Sequence, residues 1–192
     1  LEKKRGKLFV FAAPSGSGKT TIVKSVLNKF PGFIFSISAT TRKKRECEVD
    51  GKDYYFLTEE DFKEKIEKDE FVEWECFYDY YYGTLKSFID KNLESGHSVL
   101  FDVDVKGAVS IKRKYPDAVL FFVLPPSFDE LKKRLINRNT ENNEDLKKRI
   151  ERAEMEMSFA SKKEFDYKVV NDDLEKAKNM IEEIIEKEIN KE

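Results

Sequence analysis

The stretch APSGSGKTT, residues 13–21, sets small residues ahead of a lysine and two threonines. It matches the pattern G-x-x-x-x-G-K-[ST], except that Ala13 stands where the first glycine would be. In that pattern successive backbone N–H groups and the N-terminus of the following helix form a nest for anions. Pro14, Ser15, Gly16, Ser17 and Gly18 supply the loop. Lys19 reaches the β- and γ-phosphates of a nucleotide, and the Thr20 hydroxyl can bind Mg2+. Alanine is tolerable at position 13 if φ there is negative, because only a positive φ demands glycine.

Arginine is the second signal. Of 36 lysines and arginines only eight are arginine, and five of those fall in two groups, Arg42/Arg45 and Arg134/Arg138/Arg149. Lysine would keep a surface soluble equally well, whereas arginine offers a planar fork that grips carboxylate or phosphate with two hydrogen bonds. A transferring phosphoryl group spreads charge over its oxygens, and catalysis is mostly positioning and cationic stabilisation. Arg138 and Arg149 bracket the loop NRNTENNEDLKKR, so a loop with arginines at its base could close over such a group and exclude water.

Asp102 and Asp104 form the third signal. VLFDVD, residues 99–104, reads as a buried strand ending in acids, and ligands of open α/β sheets lie at that end. Two residues apart in an extended strand, the pair shares a face. The reading gives Asp102 to a metal shell and Asp104 to a substrate.

Elements must hold these residues in place. KLFVFAA is a short apolar run and reads as a buried strand before the loop. Ile22, Val23, Val26, Leu27 and Phe30 follow at helical spacing. FIFSIS and GKDYYFLT read as strands, and Thr58 as the N-cap of a helix bearing Phe62 and Ile66. FVEWECFYDYYYG is aromatic and reads as irregular. A helix with Phe88, Ile89 and Leu93 follows, with Gly96 at its C-terminal cap. AVLFFVLPP is a further buried strand. Ser127 and Glu130 form a capping box, a long helix runs from about Asp145 to Lys162, DYKVVNDD reads as a last strand, and an amphipathic helix follows. Short apolar strands alternating with helices predict a parallel sheet covered on both faces. Residues 36–86 break the alternation and read as an inserted small antiparallel lobe.

Composition removes several classes. At 192 residues, 40% hydrophobic and 39% charged with net charge −2, the chain suits one domain with a mixed surface and no basic field for nucleic acid. No apolar run approaches the ~20 residues of a membrane span. Cys47 and Cys76 form no metal spacing and fit a reduced, cytoplasmic setting. His97 is the only histidine and reads as a loop residue, which removes histidine-based triads and metal sites.

Taken in order, APSGSGKTT, SATTRKKRECEVDGKDYYF, EFVEW, YYGT, FDVDVKG, LPPSFDELKKRL, RNTENNEDLKKRI and VVNDDL resemble the guanylate kinase family over nearly the whole chain. The resemblance implies a P-loop NTPase-type α/β core (about 1–35, 87–127 and 163–192), a GMP-binding lobe (about 36–86) and a helical lid (about 128–162). It implies transfer of the γ-phosphate of ATP to GMP with Mg2+. The ATP site would take residues 13–21, from Ala13 to Thr21, with Arg134. The GMP phosphate would be met by Arg42, Arg45, Tyr54 and Tyr82, and guanine by Ser38, Glu73, Asp104 and Thr84, where some members have serine. Lys19, Arg42, Arg138 and Arg149 would act on the transferring group, and Thr20 and Asp102 on the metal. Lys44, Cys47 and Asn139 replace a proline and two glycines common in the family's loops. A sugar-phosphate kinase would not need Ser38, Glu73 and Asp104 together, and a scaffold-type binding module would not need Lys19, Thr20 and both lid arginines intact. The expected partners are ATP and GMP alone, with no nucleic acid, membrane or obligate protein partner.

Overall fold

Leu8–Ala12 (β1) is apolar at every position, which a strand tolerates only when both its faces are covered. That is the arrangement in the computed structural model, which describes residues 5–77, 79–137, 143–159 and 164–191. Along β1, Leu8, Val10 and Ala12 turn to one core cluster, and Phe9 and Phe11 to a second on the opposite face. Ile89 and Leu93 of α3 (Lys86–Glu94) and Val105, Ala108 and Ile111 of α4 (Val105–Lys114) cover the first. Ile22, Val23 and Val26 of α1 (Lys19–Lys29) and Ala177, Ile181 and Ile185 of α7 (Leu174–Asn190) cover the second.

The large sheet adds β2 (Ile34–Phe35), β7 (Val99–Asp102), β8 (Val119–Leu124) and β9 (Tyr167–Val170) in the order β2-β7-β1-β8-β9, every pair parallel. Its register sets Phe11 against Asp102, so the loop leaving β1 and the acid ending β7 emerge side by side. The smaller sheet joins β3 (Ala39–Thr40), β4 (Tyr55–Phe56), β5 (Phe71–Phe77) and β6 (Tyr80–Leu85) in the order β4-β3-β6-β5. An all-antiparallel sheet was the expectation there. β5–β6 and β3–β6 are antiparallel, but β3–β4 is parallel, because a long turn-rich loop between them returns the chain in the same direction. Between β4 and β5 lies α2 (Glu59–Glu67), whose Phe62 stacks on Phe71 with ring centroids 4.2 Å apart.

Two further expectations need correction. FVEWECFYDYYYG is not irregular: it is the β5–β6 hairpin. The strand expected over VLFDVD stops at Asp102, and Asp104 is instead the N-cap of α4, accepting from the Gly107 N–H at 2.7 Å. The two acids therefore do not share a strand face. Caps at Thr58 and Gly96 are as expected: Thr58 accepts from Asp61 N–H, and Gly96 sits at φ 80° after α3. The box opening α5 (Phe128–Asn137) forms by half. Ser127 Oγ accepts from Glu130 N–H, while the Glu130 carboxylate takes Arg134 Nε at 3.1 Å. α6 (Asn143–Ser158) begins two residues earlier than expected. Among the described residues no helix is long and apolar enough to cross a membrane.

Candidate active site

The phosphate loop turns on two left-handed glycines, Gly16 at φ 93° and Gly18 at φ 89°, the latter the N-cap of α1. Described non-glycine residues with positive φ are Asp69 and Asp79, so Ala13 has no need of glycine's freedom. A Cβ added to Gly18 would lie 2.4 Å from Asn171 Nδ2. That buried amide donates to the Ser17 carbonyl at 2.8 Å, bracing the loop from the chain just after β9. Arg134 braces the same point from α5, donating through both Nη atoms to the Asn171 carbonyl at 3.3 Å.

Lys19 Nζ lies 2.5 Å from Asp102 Oδ1 and donates to the Val103 carbonyl at 2.6 Å. The β1–β7 register produces this meeting. Thr20 stands exposed in the first turn of α1. Above the loop, Glu156 of α6 is buried and accepts the Ser15 N–H at 3.3 Å and Arg152 Nε at 3.0 Å. Arg152 Nη2 continues to Asp104 Oδ2 at 3.3 Å. One helix thus touches both the phosphate loop and the start of α4. Arg149 lies on α6, one turn before Arg152; Arg138 lies outside the described residues.

Arg42 and Arg45 lie in the loop between β3 and β4. Arg42 Nη2 and Nη1 meet Glu48 Oε1 and Oε2 at 2.7 and 3.1 Å, and Glu48 Oε2 also accepts the Arg45 N–H at 2.8 Å. The guanidinium is held over the Tyr54 ring, 5.4 Å from its centroid, and Tyr54 and Tyr82 meet edge to face at 6.3 Å. The Glu48 hydrogen bond raises Arg42 above its ordinary range. In return the fork of Arg42, and then the Arg45 N–H, hold Glu48 below the usual carboxylate range.

Glu73 of β5 and Thr84 of β6 are cross-strand partners, and Thr84 Oγ1 donates to Glu73 Oε1 at 2.8 Å. Burial pushes Glu73 up to about 7, against the pull of Thr84 and with the help of the Asp104 and Glu75 charges. Burial also raises Glu75. A cleft of about 250 Å3 opens beside Glu75, lined also by Asp104, Lys106, Arg152, Met155 and Glu156 among others. Ser38 precedes β3, where its carbonyl accepts Tyr55 N–H at 2.9 Å.

The structure therefore groups Lys19 with Asp102, Arg42 with Tyr54 and Tyr82, and Glu73 with Thr84. Arg134 donates to Glu130 and to the Asn171 carbonyl. Sequence reasoning passed over Glu48, Arg152, Glu156 and Asn171. Asn171 had a readable signal, since it directly follows an apolar strand at the ligand end of a parallel sheet.

A phosphate loop closing the first strand of a parallel sheet, with a lysine meeting an acid from the neighbouring strand, defines a P-loop NTPase-type α/β protein. The sequence matches the protein-family model described as Guanylate kinase over residues 5–188. It is 46% identical over 184 residues to a guanylate kinase of Thermotoga maritima, covering 96% of this chain and 88% of that one. It is 50% identical over 171 residues to one of Chlorobaculum tepidum, covering 88% and 87%. The crystal structure of guanylate kinase from Anaplasma phagocytophilum superposes with a TM-score of 0.74 at 29% identity, covering 100% of this chain and 90% of that one. This chain belongs to the guanylate kinase family.

Proposed function

We propose that this protein transfers the γ-phosphoryl group of ATP to GMP, giving ADP and GDP. The observation that supports the reading is a phosphate loop with Lys19 after β1 of the large sheet and a second cationic loop, Arg42/Arg45, after β3 of the smaller sheet, whose β5 carries the buried carboxylate Glu73. Two nucleotides need two phosphate grips, and one of them needs a base reader.

The phosphate loop holds the ATP phosphates through its N–H groups and Lys19, with Ala13 to Thr21 forming the cradle and Arg134 supporting it through Asn171. Arg42, Arg45, Tyr54 and Tyr82 hold the GMP phosphate. Ser38, Glu73, Thr84 and Asp104 read guanine, which presents N1–H and a 2-amino group on one edge; an ionised carboxylate can accept both. An oxygen of the GMP phosphate attacks the γ-phosphorus, and the bond to the β–γ bridging oxygen breaks, that oxygen leaving with the electron pair on ADP. The attacking phosphate is already anionic at neutral pH, its second pKa being about 6, so no general base is required. Lys19, Arg42, Arg138 and Arg149 stabilise the charge on the transferring group.

Thr20 and Asp102 suit Mg2+: a hydroxyl and a carboxylate are hard oxygen donors, and Asp102 already sits beside the phosphate-loop lysine. When bound, the ion would neutralise charge on the β- and γ-phosphates. In this reading residues 36–86 form the GMP lobe, 128–162 the lid and the rest the core. Two free, exposed cysteines fit a cytoplasmic setting.

A coupled assay for ADP tests the reaction. With ATP and Mg2+ present, ADP release should depend on added GMP and match GDP formed one for one. ADP release indifferent to GMP would overturn the assignment.

A further inference from the structure

We propose that Glu48 is a positioning residue for the acceptor phosphate: it takes one edge of the Arg42 fork and so aims the other edge at the ligand. This rests on the reading of Arg42 and Arg45 as the GMP-phosphate grip.

A guanidinium carries five N–H groups in one plane. Glu48 takes one from Nη1 and one from Nη2, the end of the fork, and the Lys43 carbonyl takes the second from Nη1 at 2.7 Å. Those three contacts leave Nε–H and the second hydrogen of Nη2. They lie in the plane along one edge, at the spacing that grips two oxygens of one phosphate. The Tyr82 hydroxyl hydrogen-bonds to the same guanidinium, so a bound phosphate would share that open edge with Tyr82. The pair is sequestered, with Arg42 and Glu48 side chains only 15% and 12% exposed, so the orientation is not freely averaged by solvent. Glu48 also fixes the backbone of Arg45, leaving that side chain exposed at the mouth of the loop. No regular element spans the chain from Thr41 to Val49, so this carboxylate does the ordering that a helix or strand would otherwise do.

Glu48→Gln keeps the size but loses the bidentate acceptor, and Glu48→Asp keeps the charge on a shorter arm. Binding of GMP and of guanosine, which lacks the phosphate, should be measured on the parent and both variants by calorimetry. Glu48→Gln should weaken GMP by ~10-fold or more, the scale of a lost hydrogen bond to a charged group. Guanosine affinity should stay within about twofold, because guanosine does not use this grip. Glu48→Asp should recover part of the loss. In steady state KM for GMP should rise more than kcat falls. GMP binding that is unchanged or tighter in Glu48→Gln would overturn the inference, and so would an equal loss for guanosine. A parent protein that binds guanosine as tightly as GMP would instead overturn the assignment of the grip itself.

Discussion

Thr84 Oγ1 and Glu73 Oε1 meet at 2.8 Å across the β5–β6 pair, with Thr84 fully buried. The hydroxyl occupies one lone-pair direction of a carboxylate whose other neighbours, Asp104 and Glu75, carry like charge. A carboxyl in that setting is poised near neutrality, and its protonation state decides what it can accept.

The first prediction is therefore a pH dependence. In the proposed reading ionised Glu73 would accept both guanine donors, whereas the protonated acid would not. Guanosine, which has no phosphate to titrate, should bind with constant affinity above about 7 and progressively more weakly below it. Calorimetry across pH 5.5–8.5 (about three units, tenfold per unit at the limit) checks this. Affinity flat through that window would show that Glu73 does not read the base. Stability should move the other way. The folded protein holds this proton more tightly than the unfolded chain, whose value is near 4.5. Between about 4.5 and 7 the folded state thus binds more protons, and Glu73's contribution to stability declines as pH rises.

Asn171 links the C-terminal end of the sheet to the phosphate loop. Asn171→Ala would strand the Ser17 carbonyl that its amide now satisfies. Stability should fall by roughly 1–3 kcal/mol, the cost of one buried unpaired group. KM for ATP should rise severalfold while guanosine binding stays at the parent level. A thermal melt and the two binding measurements separate these effects; loss of guanosine binding in a folded variant would contradict the separation of the two sites.

Much of this arrangement was legible in the sequence. The phosphate loop, both flanking elements of β1 and the two-faced parallel sheet follow from residue types and their spacing. The hairpin did not, because Phe71 and Val72 are successive and both buried while Trp74 is exposed, so no alternation marks a strand. α4 was passed over although Asp104, Val105, Ala108 and Ile111 carry an N-cap and helical spacing, because the acids at its start drew the reading toward ligand chemistry. Glu48, Arg152 and Glu156 are single charges in a chain that is 39% charged. Only the fold says which of them meet: Arg152 finds Asp104 across 48 positions, and Glu156 finds Ser15 across 141.

Arg149 on α6 gives a prediction about the transition state. Arg149→Lys keeps the charge and loses the planar fork. kcat should fall by ~10²-fold or more with KM for either nucleotide little changed, the scale of one donor to developing charge. A raised KM at unchanged kcat would assign Arg149 to ground-state binding.

If this protein phosphorylates GMP and reads guanine through Glu73, nucleotide preference should depend on that carboxylate. The most direct measurement is kcat/KM for GMP, AMP, CMP and UMP with ATP and Mg2+, on the parent and on Glu73→Gln. The parent should prefer GMP over AMP by ~10⁴-fold or more, because adenine lacks the 2-amino donor and would leave a desolvated carboxylate facing a lone pair. In Glu73→Gln that preference should shrink sharply, with KM for ATP nearly unchanged. A parent that phosphorylates AMP as well as GMP, or a variant that discriminates as well as the parent, would contradict the account.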